Sequence, residues 1–206
     1  MKVDLKKQIA AYRAPRGSFE VIEVPPLQYL MVDGHGDPNA AEFYQDAVAA
    51  IFGVAYKLKF LSKLELERDY VVMPLEGLWW AEDMASFTTE RDKSRWSWTM
   101  MNLIPGWIEP EHVERARGVV RQKNASAALE SLRFEQLDEG RCVQTLHIGS
   151  YDDEAPVLDE MHHRFIPDAG LRMTGRHHEV YLTDPRRSAP EKLRTILRQP
   201  VETVGE

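Results

Sequence analysis

The sequence predicts an α+β fold built as one pseudo-symmetric unit. Three observations lead there. The order strand, turn, helix, strand, strand occurs twice along the 206 residues. Short stretches echo each other: Glu76-Gly77-Leu78 can be laid on Glu179-Val180-Tyr181, and Thr99-Met100-Met101 on Thr195-Ile196-Leu197, with Pro105 and Pro200 closing the strands. No low-complexity segment or linker separates the halves, so a single domain over 1–206 is expected. Its halves run from about 18 to 108 and from 131 to 201, joined by a helical connection over 109–130.

A polar N-terminal arm comes first. Phe19 to Val24 reads as a strand, interrupted by Pro25-Pro26, and Leu27 to Val32 resumes it. Gly34-His35-Gly36-Asp37 is a turn, with Asp37 as N-cap and Pro38 at the first helical position. The following helix places Tyr44, Val48, Ile51, Phe52 and Ala55 on one face. Tyr70 to Trp80 and Arg95 to Ile104 read as strands. A helix then opens after Glu109-Pro110, with Val113, Ala116 and Val120 inward. The second half repeats the order: strands at Leu132–Leu137 and Arg141–Ile148, a turn at Gly149–Asp153, and a helix carrying Val157, Leu158, Met161 and Phe165. Strands at His177–Thr183 and Leu193–Gln199 complete it.

Composition narrows the function. With 43% hydrophobic and 29% charged residues the chain is an ordinary globular one. Lys+Arg 26 against Asp+Glu 33 gives −7, which argues against nucleic acid and anionic membranes as partners and favours a neutral or cationic small molecule. The single cysteine, Cys142, sits in an apolar run and reads as a buried inert thiol. The N-terminus lacks a signal-peptide pattern, and no window reaches the ~18 apolar residues of a membrane span. A soluble, cytoplasmic protein is expected.

All five tryptophans fall between positions 79 and 107. Trp79 and Trp80 are neighbours on a strand and point to opposite faces, so at least one meets a groove or solvent. Trp79, Trp80, Trp98 and Trp107 are therefore candidates for a stacking pocket, the alternative being an aromatic core layer. Glu179 alternates with Tyr181 on a strand, and this pair could line a pocket for a cation or hold a water for general-base work. A solvated edge-strand glutamate is the competing reading. Glu76 occupies the echoing place in the first half, so two carboxylates are expected to face one central cleft. His162-His163 and His177-His178 diverge in direction and have no third ligand at suitable spacing, so no metal is expected. Gly34-His35-Gly36 lacks the context of a dinucleotide loop, and no other cofactor is implied.

Three stretches of the second half then resemble the GyrI-like small-molecule-binding domain. They are His147-Ile148-Gly149-Ser150-Tyr151-Asp152-Asp153-Glu154, His177 through Pro185, and Pro190-Glu191-Lys192-Leu193-Arg194-Thr195. In the first half, Gly36-Asp37-Pro38-Asn39, Pro74 through Trp80 and Trp98-Thr99-Met100-Met101 are similar to its stand-alone subfamily. The likeness covers about 18–201. Ser150 departs from it, the family more often having proline in this turn.

The resemblance implies two strand–helix–strand–strand repeats with helices on one side of a cupped antiparallel sheet and a ligand cleft between them. It gives Glu179 the place of the glutamate that meets cationic aromatic compounds in multidrug-binding regulators. Those regulators carry a DNA-binding domain ahead of this one. Here only about 18 polar residues precede the match, so that role is not expected. Some stand-alone members hydrolyse cyclopropanoid DNA-alkylating compounds inside an aromatic cage. A hydrolase is thus implied, with Glu179 or Glu76 holding the water and Tyr151, Tyr181 or a histidine meeting the developing oxyanion. A binder that sequesters xenobiotics without turnover is the alternative. An interaction protein of the gyrase-inhibitor kind fits the clustered tryptophans less well.

Overall fold

A computed structural model describes residues 2–38, 40, 42–81 and 93–205. Among the described residues nine strands form the sheet: β1 Glu20–Val24, β2 Leu27–His35, β3 Glu76–Trp80, β4 Ser97–Ile104, β5 Arg133–Leu137, β6 Gly140–Ile148, β7 Leu171–Met173, β8 His177–Tyr181 and β9 Arg194–Thr203. Eight of them lie in the order β1-β6-β9-β8-β3-β4-β2-β5, and β7 pairs with the end of β9. Every pairing is antiparallel. The curled α+β sheet predicted from the sequence is what the chain builds.

The strand order is a palindrome about the β8–β3 junction. β2, β4 and β3 of the first half answer β6, β9 and β8 of the second. The outermost strands are exchanged: β1 precedes β2 in sequence but pairs with β6, while β5 precedes β6 and pairs with β2. Pro25-Pro26 explains why β1 and β2 do not close a hairpin, since two fixed φ angles and no N–H groups keep the chain extended. Each half thus carries an edge strand of the other.

One face of the sheet is covered by two groups of helices. Over the first half lie α1's successors α2 Glu42–Glu65, α3 Pro110–Arg121 and α4 Ala127–Ser131; α1 itself, Leu5–Gln8, belongs to the arm described below. α2 buries Ala47, Ala50, Ile51, Val54, Ala55 and Leu58 against Leu30, Val32, Trp98, Met100 and Ile104, and each fully buried Val, Leu or Ile contributes about 1.5–3 kcal/mol. α3 begins at Pro110, with the Glu109 N–H donating to His112 Nδ1 at 2.9 Å. Over the second half lie α5 Ala155–Glu160, a π-helical turn Met161–Phe165 and α6 Ile166–Asp168, which pack on Val143, Leu197 and Val201.

Several expectations shift. Pro38 and Ala40 form a turn and α2 starts at Glu42, so Asp37-Pro38 do not open the helix as expected. Only Glu76–Trp80 of the stretch from Tyr70 is a β3 strand; Tyr70 instead makes a parallel bridge to Val3. β9 runs through Pro200 to Thr203. The N-terminal arm is no polar tail: Leu5, Ala11 and Tyr12 are buried against the second face of the sheet, beside Tyr29, Met101 and Ile196. Cys142 is a free, buried thiol whose pKa burial pushes up to about 12.

Candidate functional site

Register decides which side chains meet. β3 and β8 pair Glu76 with Val180, Gly77 with Glu179, Leu78 with His178 and Trp79 with His177. Successive residues alternate faces, so Gly77, Trp79, His177, Glu179 and Tyr181 share the helix-covered face. Glu76, Leu78, Trp80, His178 and Val180 take the other. Glu179 therefore stands opposite Gly77, not opposite a second carboxylate.

The helix-covered face gathers aromatic groups around Glu179. Trp79 Nε1 donates to Tyr181 Oη at 2.9 Å. Gly77 makes this possible, because a Cβ there would lie 2.6 Å from Met100 Cε and 2.9 Å from Trp79 Nε1. Trp96 meets Trp79 edge-on at 5.8 Å between centroids. Tyr151, in the 3-10 turn Tyr151–Asp153 after β6, meets Tyr181 edge-on at 5.6 Å. Tyr44 reaches in from α2, edge-on to Trp98 at 5.2 Å.

Three phenols feel the Glu179 charge. Burial first, and then Glu179, raises the pKa of Tyr181 and of Tyr44 far above the ordinary phenol range, and pushes Tyr151 up to about 12. All three keep their protons at neutral pH and remain donors. Glu179 itself is 14% exposed, and the one basic group within ion-pair distance of it among the described residues is His177, whose Nε2 lies 3.5 Å away.

The sequence candidates thus divide. Glu179, Tyr181, Tyr151 and Trp79 come together. Trp98 is fully buried beneath them, lying over Gly34 so closely that a Cβ on that glycine would be 2.1 Å from the indole. Trp80 is on the opposite face under Arg176, 3.5 Å from ring centroid to guanidinium carbon. Trp107 donates to Ser62 Oγ and packs on Tyr70, away from the site. Glu76 corrects the expectation of two carboxylates in one cleft. The echo that matched Glu76 to Glu179 is one residue out of register, and a one-residue slip sends a side chain to the other face.

On that other face Glu76 is fully buried in a network. Tyr12 Oη donates to Glu76 Oε1, His178 Nε2 bonds Glu76 Oε2 at 3.0 Å, and His178 Nδ1 bonds Glu139 Oε1 at 2.9 Å. Arg198 Nη1 donates to Glu139 Oε2 at 2.9 Å, and Arg198 Nη2 donates to the Ala11 carbonyl. Burial opposes ionisation of both His178 and Glu139. The charges of their partners override it, raising the pKa of His178 and lowering that of Glu139 to about 2. The buried Glu139 carboxylate is thus held between the His178 imidazole and the Arg198 guanidinium.

Sequence reasoning missed Tyr44, Trp96 and His177. Tyr44 was read as part of an apolar helix stripe, although its hydroxyl set it apart. Trp96 was inside the tryptophan cluster and in step with Trp98. From sequence, His177 is named only among candidate metal ligands, and the oxyanion role is left to an unspecified histidine. Among the described residues no group of three or more His, Cys, Asp or Glu is placed to hold a metal ion, and no helix is long and apolar enough to cross a membrane. A surface groove of about 460 Å³ between α2 and α3 is lined by Phe60, Leu64, Arg115 and Val119 among others, and none of the Glu179 group reaches it.

Comparison with known proteins matches this chain to one family. The GyrI-like small molecule binding domain matches residues 18–202. A structure of an uncharacterized conserved protein from Listeria innocua is 39% identical, with 98% of this chain and 100% of that one covered and a TM-score of 0.88. A structure described as a hydrolase, also from Listeria innocua, is 38% identical over 98% and 100% of the two chains, with a TM-score of 0.83. The EcmrR C-terminal domain, 13% identical with a TM-score of 0.53 and 91% and 98% covered, shares the fold. No match was found among curated proteins. The chain belongs to the GyrI-like small-molecule-binding domain family.

Proposed function

We propose that the Glu179 face binds planar aromatic compounds and hydrolyses cyclopropanoid alkylating agents. The observation that carries this is a carboxylate without a Lys or Arg partner among the described residues, set among protonated phenols and the edges of Trp79 and Trp96. A flat substrate stacks on these rings, each aromatic contact contributing about 0.5–1.5 kcal/mol beyond its burial. Glu179 accepts a proton from a water as the water oxygen forms a bond to the strained ring carbon. The cyclopropane C–C bond breaks, and its electron pair passes through the conjugated system to the carbonyl oxygen. That oxygen accepts a hydrogen bond, then a proton, from Tyr181 or Tyr151, and Glu179 returns its proton to the phenol. The sum is addition of one water.

Family membership supports small-molecule binding, and the Listeria innocua structures described as hydrolases support turnover. Cytoplasmic location is part of the same reading. Incubation with a cyclopropane-containing duocarmycin-type compound, followed by mass, tests it. Catalytic gain of one water is expected. A compound that is retained by the protein unchanged favours the alternative reading, sequestration in the same site with Glu179 as counter-charge to a cation.

A further inference from the structure

Beside Glu179, two buried imidazoles carry ring nitrogens that lack a hydrogen-bond partner among the described residues. His177 is 10% exposed at its side chain, and neither of its ring nitrogens has a hydrogen-bond partner. His162 is 8% exposed, and its Nε2 is also without one. The rings meet edge-on, 6.0 Å between centroids. Leaving a buried donor or acceptor unmade is costly, so native proteins seldom keep such groups without a use.

The backbone that presents His162 is itself unusual. It lies in the π-helical turn Met161–Phe165, where the Ile166 N–H reaches back to the Met161 carbonyl. Pro167 follows, and it cannot donate to the His163 carbonyl as a regular helix would require. Turns of this kind recur at functional sites. Here the turn carries His162 to His177, which stands on β8 two residues from Glu179 and on the same face.

We propose that His177 and His162 form a hydrogen-bonding subsite at the end of the Glu179 face away from Tyr181, and that it takes a neutral oxygen-bearing group, a carbonyl or phenolic hydroxyl, of an aromatic ligand. This deepens the ligand reading above and rests on it. The chemistry selects the group. Burial, and then His177, lowers the pKa of His162 to about 3, so His162 offers no positive charge to an anion. Glu179 Oε1, 3.5 Å from His177 Nε2, repels an anion further. The neutral His162 ring has one N–H and one lone pair, so it can donate to or accept from a neutral oxygen, and the unpartnered nitrogens of His177 stand beside it.

An isosteric pair of probes tests this: 2-acetylnaphthalene and 2-isopropenylnaphthalene, which differ only in C=O against C=CH2. Equilibrium dialysis against the full chain is expected to show the ketone bound about tenfold tighter, the size of one neutral hydrogen bond made in place of an unmade one. His177→Phe is expected to bind both probes alike, and His177→Gln to keep part of the preference. In the wild-type protein, ketone but not alkene shifts the His177 ¹⁵N resonances, which holds even if the Phe variant does not fold. Equal binding of the two probes by wild type, or a preference that survives in folded His177→Phe, overturns the subsite and leaves the aromatic cleft standing. Binding of neither probe overturns both.

Discussion

Glu76 and Glu179 lie on paired strands, one register step apart, and meet opposite surroundings. Glu76 is fully buried and accepts from Tyr12 and His178 inside a hydrogen-bonded network. Glu179 lies among three phenols, one of which, Tyr181, hydrogen-bonds it, with the His177 imidazole 3.5 Å away. A carboxylate gripped by a buried phenol and a buried imidazole is fixed. One with fewer partners keeps room for water or a cation. The sheet thus places two carboxylates on opposite faces, and under the proposed function the pleat makes Glu76 the structural one and Glu179 the reactive one. The network also anchors the arm, since Arg198 and Tyr12 tie residues 11 and 12 to the sheet.

Breaking the structural side is expected to have the largest effect on stability. Glu139→Gln removes a carboxylate shared by His178 and Arg198, and the loss of one partner from a buried charge group costs about 3–5 kcal/mol. Urea unfolding monitored by circular dichroism measures it. The pH dependence follows from the same two groups. His178 has a raised folded pKa, so its contribution is complete below about 6.5 and fades as pH rises through the folded value. Glu139 is lowered to about 2, so its contribution is complete above about 4.5 and fades as pH falls toward 2. Thermal melts should therefore show a maximum between these limits, and His178→Leu should flatten the alkaline side of it.

A smaller effect is expected from Gly34→Ala, whose Cβ would strike the Trp98 indole. Overpacking of this kind costs about 1–3 kcal/mol, and because Trp98 underlies Tyr44 it should also weaken aromatic ligands, which ligand titration by tryptophan fluorescence would show. Smallest is Trp107→Phe. It removes one hydrogen bond to Ser62, about 1 kcal/mol by chemical unfolding, and should leave ligand affinity unchanged because Trp107 lies outside the site.

Much of the fold could be read from local pattern. Tyr44 through Ala55 announced a helix by spacing, and Gly149-Ser150 announced the turn before Tyr151. Pairing was harder, since partners of β1 and β5 lie more than a hundred residues away and no local signal names them. The arm was misread because Lys2, Asp4, Lys6 and Lys7 are interleaved with Val3, Leu5 and Ile9, masking the apolar residues that dock. The site was legible where chemistry and period agreed, at Glu179 and Tyr181. It was obscured at Glu76, where a plausible echo was a single residue out of step.

The central claim is that Glu179, and not Glu76, is the working carboxylate. Turnover of a duocarmycin-type cyclopropane and melting temperature, measured together for Glu179→Gln and Glu76→Gln, test it most directly. The account predicts a crossover. Glu179→Gln loses about two to four powers of ten in turnover while melting within a few degrees of wild type. Glu76→Gln melts roughly 6–20 °C lower, from about 3–5 kcal/mol at about 2–4 °C per kcal/mol, yet turns over substrate where it remains folded. A folded Glu76→Gln without turnover beside an active Glu179→Gln would contradict it.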